Sequence, residues 1–377
     1  MLSPTPLSLF CALLLCLPLA VVFTITSPTT NITTTVDCLK NQVTKFLRKK
    51  PQAPLQSPPP PPPPQQPPPP ADDESLLQVA ARVNPTPTHP MKVAFMFLTT
   101  TPLPFAPLWE LYFNQTNKQN LFNIYIHADP THKYRPPFAG VFADRVIPSK
   151  PAQRQTPTLT SAARRLLAHA LLDDPSNAMF VLLSPSCIPL HSFDFTYKTL
   201  TRSNKSFIEI LENEAGAHDR WAARGEHAML PEVRFEEFRI GSQFWALTRK
   251  HARLVVGDWS IWPKFNQSCL QLDTCYPEEN YFPTLIHVRD PLGSVSATLT
   301  HVDWSRGSSG GHPRTYRASE VGPQLVRSLR SKRPRYGYDG INGSDSIRRD
   351  PFLFARKFSP SCIQALMGIA KDVIFKD

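Results

Sequence analysis

Lys92-Val93-Ala94-Phe95-Met96-Phe97-Leu98 decides the reading of the fold. The run is short and apolar at consecutive positions, the mark of a strand buried on both faces, as parallel strands are. Phe122 to His127 and Met179 to Leu183 repeat it. Between these runs lie two helical patterns. One falls near Leu108 to Asn114; the other, Ser161 to Leu172, is amphipathic, with Arg164 and Arg165 beside Leu166, Leu167 and Leu171. Strands alternating with helices predict an α/β domain around a largely parallel sheet. Ligands of such sheets sit beyond the carboxyl ends of the strands. Thr99, His127 and Asp129 fall there, with Ser184 to Cys187, and the first three are the nucleotide-binding candidates.

The second half is less regular. Phe207 to Leu211 and Phe244 to Leu247 read as strands, and Arg249 to Val256 as a helix stopped by Gly257. A last helix is capped by Ser359 with Pro360 at its first position, and Ile363, Leu366, Met367 and Ala370 give it an apolar face. In between stands Cys269-Leu270-Gln271-Leu272-Asp273-Thr274-Cys275-Tyr276-Pro277-Glu278-Glu279-Asn280-Tyr281-Phe282-Pro283-Thr284. The two cysteines are close enough in sequence to clip a loop. Pro277 and the acids after it signal a helix start. Neighbours on a helix point about 100° apart, so only one of Glu278 and Glu279 faces a cleft squarely. A carboxylate held among aromatics and partly desolvated suits a general base. First-turn acids also simply complement the helix dipole, and spacing alone leaves both readings open.

Of 377 residues, 42 are proline. Pro58 to Pro64 and Pro67 to Pro70 are unbroken, favour polyproline II and cannot build a core. Residues 27–90 therefore read as a proline-rich stem; one such run without a repeat fits a stalk better than a wall structural protein. Residues 7–26 are apolar enough for a single membrane anchor after a short tail, 1–6, with a cleaved signal as the alternative. Lys40, Lys45, Arg48, Lys49 and Lys50 follow it and argue for a cytoplasmic far side. Acceptor patterns for N-glycosylation at Asn31, Asn114, Asn204, Asn266 and Asn342 argue for a lumenal one, and they outweigh distant charges. Residues 91–377 are then a lumenal domain.

Cys11 and Cys16 lie in the apolar stretch, leaving Cys38, Cys187, Cys269, Cys275 and Cys362, an odd set in which Cys269–Cys275 is the best pair. No CxxC or HxxxH cluster invites a metal. The net charge of +11 is dispersed, apart from a concentration between Arg314 and Lys357. With no nucleic-acid-binding motif present, a groove for phosphate-bearing small molecules explains that concentration better than nucleic acid does.

Residues 91 to 371 resemble the plant branch of the core-2/I-branching β-1,6-N-acetylglucosaminyltransferase family. The resemblance is carried by Phe97-Leu98-Thr99, Leu108-Trp109-Glu110, Ile124-Tyr125-Ile126-His127 and Arg164-Arg165-Leu166-Leu167. It continues in Phe180-Val181-Leu182-Leu183-Ser184, Gly241-Ser242-Gln243-Phe244 and Glu279 with Tyr281-Phe282-Pro283-Thr284. Val302-Asp303-Trp304-Ser305-Arg306-Gly307 and Leu353-Phe354-Ala355-Arg356-Lys357-Phe358 complete it.

The resemblance implies a type II Golgi membrane protein with a GT-A-like lumenal domain. It implies inverting transfer of a sugar, GlcNAc-like, from a nucleotide donor to a glycoprotein or cell-wall glycan. No cofactor is expected, because basic side chains replace the divalent metal of most GT-A enzymes; accordingly no Asp-x-Asp occurs in the chain. Glu279 matches the family's base and Lys357 its phosphate-binding lysine, with Arg330 as the accompanying arginine. Glu278, Asp303 and Trp304 are the acceptor-side candidates. The chain departs from the plant pattern at Arg154-Gln155, where Trp-Gly is usual, at Ser161-Ala162-Ala163, and at Asn280 for a histidine. A usual cysteine pair is replaced near Tyr336 and Pro351. The alternative that these departures admit is a catalytically silent glycan-binding member.

Overall fold

The computed structural model describes residues 73–115, 119–305, 312–337 and 349–377. The expected anchor at 7–26, most of the stem, and Asn31 and Asn342 lie outside the described residues. No helix among the described residues is long and apolar enough to cross a membrane.

Three strands run parallel at one end of the main sheet: β1 (Lys92–Thr99) lies between β2 (Phe122–Ala128) and β3 (Asn177–Leu183). Beyond β3 come β6 (Ala246–Thr248), antiparallel to both its neighbours, then β5 (Ser206–Phe207) and β7 (Ser294–Val295), which are parallel to each other. In register, Phe95 faces Ile124 on one side and Val181 on the other. The alternation of a strand sends Val93, Phe95 and Phe97 into one apolar layer and Ala94, Met96 and Leu98 into another.

Helix α2 (Ala106–Phe113) covers the first layer with Trp109, Tyr112 and Phe113, tilted or edge-on around Phe95. The second layer is covered by α3 (Pro157–Asp173), α6 (Arg249–Val256) and α8 (Pro277–Arg289). A sheet buried on both faces explains why its strands read as unbroken apolar runs. Short β4 (Ile188–Pro189), β8 (Thr300–Val302) and β9 (Phe354–Arg356) form a second sheet in the order β4-β9-β8. The mixed α/β architecture, with its largely parallel centre, fits a GT-A-like domain.

Three features differ from the sequence reading. First, the folded body begins before residue 91. Asp73–Ala81 is a helix, α1, that buries Leu77 and Ala80 against the α3 layer. Asp73 is the ion-pair partner of Arg165 and also meets Lys150 at 3.1 Å. Second, Arg164 and Arg165 are buried rather than on a wet face. The Arg164 guanidinium donates to the carbonyls of Val255 and Asp258 at 3.1–3.3 Å and stacks on Trp262. Third, the expected strand at 207–211 survives only as Ser206–Phe207, and the last helix starts with a 3-10 turn at Pro360–Cys362 before α10 (Ile363–Ile369). The predicted helix Arg249–Val256 is observed with those bounds: Thr248 accepts the His251 N–H as its cap and Gly257 ends it.

Candidate active site

A cleft of about 1010 Å³ opens where the carboxyl ends of β1, β2 and β3 meet the start of α8 and the end of β9. Thr99 and His127 line it from the strand ends, Glu279 from α8, and Arg356 with Lys357 from β9. The structure thus brings Glu279 and Lys357 to one cavity, although 77 positions separate them in the chain.

At the start of α8, the two glutamates part as helical geometry requires. The Glu279 carboxylate faces the cleft and accepts from Arg220 of α5 (Ala217–Trp221) at 2.9 Å; the Arg220 guanidinium also lies over the Tyr276 ring at 4.5 Å. Glu278 turns inward instead. It is 1 % exposed and accepts the Gln155 N–H at 3.1 Å, while its other oxygen is buried without a partner. Burial pushes its carboxyl up to about 7. Glu278 is therefore not an acceptor-side residue but part of the interior beneath the loop before α3. Upstream, Cys269 and Cys275 form the expected disulfide.

At the strand ends, the Thr99 hydroxyl closes a turn onto the Thr101 carbonyl. His127 is 1 % exposed; burial holds it down at about 4, so its ring is neutral, and Nδ1 has no partner. Asp129 does not line the cleft, which corrects its place among the nucleotide-binding candidates. Its carboxylate accepts from Thr131 (2.8 and 2.6 Å) and from the Ala152 N–H (2.8 Å), pinning the loop that carries Arg154. Burial alone would raise its pKa, but those donors bring it down to about 2.

Two further expectations are corrected. Asp303 is 8 % exposed and is bound by Ser305, Arg314 and Tyr316, which hold it well below the usual carboxylate range against the effect of burial. It anchors the loop that presents Trp304, which lines the cleft and is 59 % exposed. Arg330 lies in α9 (Pro323–Ser331) outside the cleft. Its guanidinium donates to the carbonyls of Leu190 (2.6 Å), Ile374 (2.7 Å) and Lys376 (3.0 Å), fastening the C-terminus, so it is not free to hold a diphosphate. The basic residues of that segment that do reach the cleft are Lys332, Arg333 and Arg335. Where the usual cysteine pair is missing, the Tyr336 hydroxyl donates to the Asp350 carboxylate and accepts the Asp350 N–H, both at 3.0 Å. Asn114, Asn204 and Asn266 are exposed.

Sequence reasoning missed Glu209, which lines the cleft beside Glu214 and Glu279. Burial, reinforced by those two carboxylates against the pull of Arg335, pushes its carboxyl up to about 7. The signal was present: a single acid inside the apolar run Phe207-Ile208-Glu209-Ile210-Leu211. Arg335 pairs with Glu214 at 2.5 Å. Among the described residues, no group of three or more His, Cys, Asp or Glu side chains gathers as a metal site.

Residues 93–330 match the family profile described as Core-2/I-Branching enzyme. The chain is also similar to "Glycosyltransferase BC10" of Oryza sativa subsp. japonica, 30% identical over 321 residues that cover 76% of this chain and 78% of the relative. Taken with a mixed α/β fold and a cleft at the ends of its parallel strands, these matches show that the chain belongs to the core-2/I-branching enzyme family and is a glycosyltransferase.

Proposed function

We propose that the protein is an inverting, metal-independent transferase that moves a sugar, GlcNAc-like, from a nucleotide donor to a glycan hydroxyl in the Golgi lumen, held there by an N-terminal anchor. The observation that carries this reading is that a carboxylate, Glu279, and an ammonium, Lys357, line one cleft at the ends of the parallel strands. In the reaction the acceptor oxygen bonds to the anomeric carbon as the bond from that carbon to the diphosphate breaks, and the electron pair leaves with the diphosphate. Glu279 takes the acceptor proton, a role worth about 10²–10⁴-fold. Lys357 and its cationic neighbours stabilise the negative charge that the leaving group gains. Trp304 offers an exposed ring at the mouth on which an acceptor sugar stacks.

A second assignment of the base has its own support. Glu279 is already paired with Arg220, whereas Glu209 has a carboxyl raised to about 7, well matched to proton abstraction near neutrality. Incubating the purified chain with labelled nucleotide sugars and glycan acceptors, with and without a chelator, tests the whole reading. Transfer that survives the chelator supports it. Well-folded protein that neither transfers nor hydrolyses any donor favours the silent glycan-binding reading instead.

A further inference from the structure

The loop between β2 and α3 carries Ala152 and Arg154 into the cleft, and hydrogen bonds pin it from two sides. On the β2 side, Asp129 accepts the Ala152 N–H at 2.8 Å, and the Lys150 N–H meets Nε2 of His127 at 3.4 Å. On the α8 side, Glu278 accepts the Gln155 N–H at 3.1 Å. Gln155 itself has φ at +63°, the left-handed region that a side chain occupies at a cost. A residue in that state persists only where its surroundings fix it, and the Glu278 carboxyl is what holds its N–H.

The two pinning carboxyls are served differently. Asp129 also accepts from Thr131, and its donors keep it ionised. Glu278 has one oxygen on the loop and the other buried with no partner. The charged groups that face it are Glu279 beside it on α8, Arg154 of the loop, and Arg224 of the 3-10 turn Ala222–Arg224, itself buried with Nε unpartnered. Burial raises the proton affinity of Glu278 most, the N–H groups of Glu278 and Gln155 lower it, Glu279 raises it and Arg154 lowers it; the outcome is a carboxyl at about 7. Lifting the loop would wet that carboxyl and return it toward its ordinary 4.5. The seated loop therefore holds the proton more tightly than the lifted one. Seating is favoured below about 7 and weakens as pH rises through that value.

We propose that Glu278 is a positioning residue for transfer: through the Gln155 N–H its neutral carboxyl seats the loop wall of the cleft, and loss of its proton releases that wall, a role that rests on the donor reading above. Glu278 touches no substrate and moves no proton in the reaction; it acts through the loop.

Glu278→Gln keeps an oxygen for the Gln155 N–H and removes the titration, whereas Glu278→Ala removes both. Amide hydrogen exchange of residues 150–156, followed by mass spectrometry in the purified full chain at pH 6 and pH 8, reads the loop without any substrate. The ratio of the wild-type rate to that of Glu278→Gln cancels the intrinsic effect of pH on exchange. That ratio is expected near one at pH 6 and about threefold to tenfold at pH 8, the ceiling set by a single proton. Glu278→Ala should exchange faster than Glu278→Gln at both pH values, and Asp129→Asn should loosen the loop equally at both. With UDP-N-acetylglucosamine as donor, the wild-type KM should rise by about the same factor from pH 6 to pH 8. The KM of Glu278→Gln should stay within about twofold over that range, while the kcat profiles of the two run parallel. A ratio within about twofold of one at both pH values, or Glu278→Ala exchanging like Glu278→Gln, overturns the proposal. If sugar is transferred but the KM of wild type and Glu278→Gln responds alike to pH, the donor reading stands and this role falls. If the loop exchanges as expected and UDP-N-acetylglucosamine is not turned over, the seat on Glu278 stands and the GlcNAc-donor reading falls.

Discussion

The two walls of the cleft treat charge in opposite ways. On the acidic wall every carboxylate has its compensation: Glu279 has Arg220, Glu214 has Arg335, and burial raises Glu209 to about 7, where a proton is close at hand. On the basic wall Arg356 and Lys357 form no ion pair among the described residues; burial lowers the proton affinity of both, Arg356 and Arg154 lower that of Lys357 further, and Arg154 lowers that of Arg356 against the pull of Glu279. A wall whose charges are already matched is built to hold and move a proton. A wall with a surplus of one sign is built to receive a ligand of the other.

The sharpest way to break this contrast is at its acidic centre. Glu279→Gln should lower kcat by about 10²–10⁴-fold, and Glu209→Gln by tenfold or less. The reverse ranking, measured in the same transfer assay, hands the base role to Glu209. On the opposite wall, Lys357→Ala should cost about 10²–10³ in kcat, the usual loss when one fixed donor to a developing anion is removed. An equal loss in KM with kcat unchanged would mean that the cation binds the ground state only.

A smaller effect separates the buried acid from the catalytic one. Glu278 has a folded-state carboxyl raised to about 7 from an ordinary 4.5. The folded chain therefore binds more protons than the unfolded chain between those values, and stability falls as pH rises through that window. Glu278→Gln should stabilise the protein at pH 8 by up to about 3 kcal/mol, with little gain at pH 4, in thermal melts across that range. A gain independent of pH would contradict the assignment. Smallest for catalysis is Arg330→Gln: stability should drop by about 2 kcal/mol as three carbonyls of the chain lose their donor, while kcat stays unchanged.

How much of this was legible depends on where the physics is local. The strands β1, β2 and β3 could be read because burial on both faces leaves no polar position to blur the pattern. Helix α6 could be read because a glycine stops it. Glu279 was legible from a proline and two acids at a helix start, although that pattern could not say that Arg220 would meet it. The basic wall was not legible as a unit, since Arg154, His312 and Arg356 are neighbours only after the second sheet has formed beside the first. Arg330 was misplaced because the resemblance that suggested it does not reveal which side of α9 faces the C-terminus. Helix α1 was hidden by the prolines on either side of it, and only the fold reveals Arg165 as the buried charge that Asp73 answers.

That last contact fixes where the catalytic unit can be cut free. A chain trimmed at Met91, the first residue after the last of the stem prolines, would strip Arg165 of its counter-charge and bare the apolar seat of Leu77 and Ala80. A cut ahead of residue 73 would leave that seat filled. Truncation at 73 and truncation at 91 thus separate a domain that keeps its counter-charge from one that loses it.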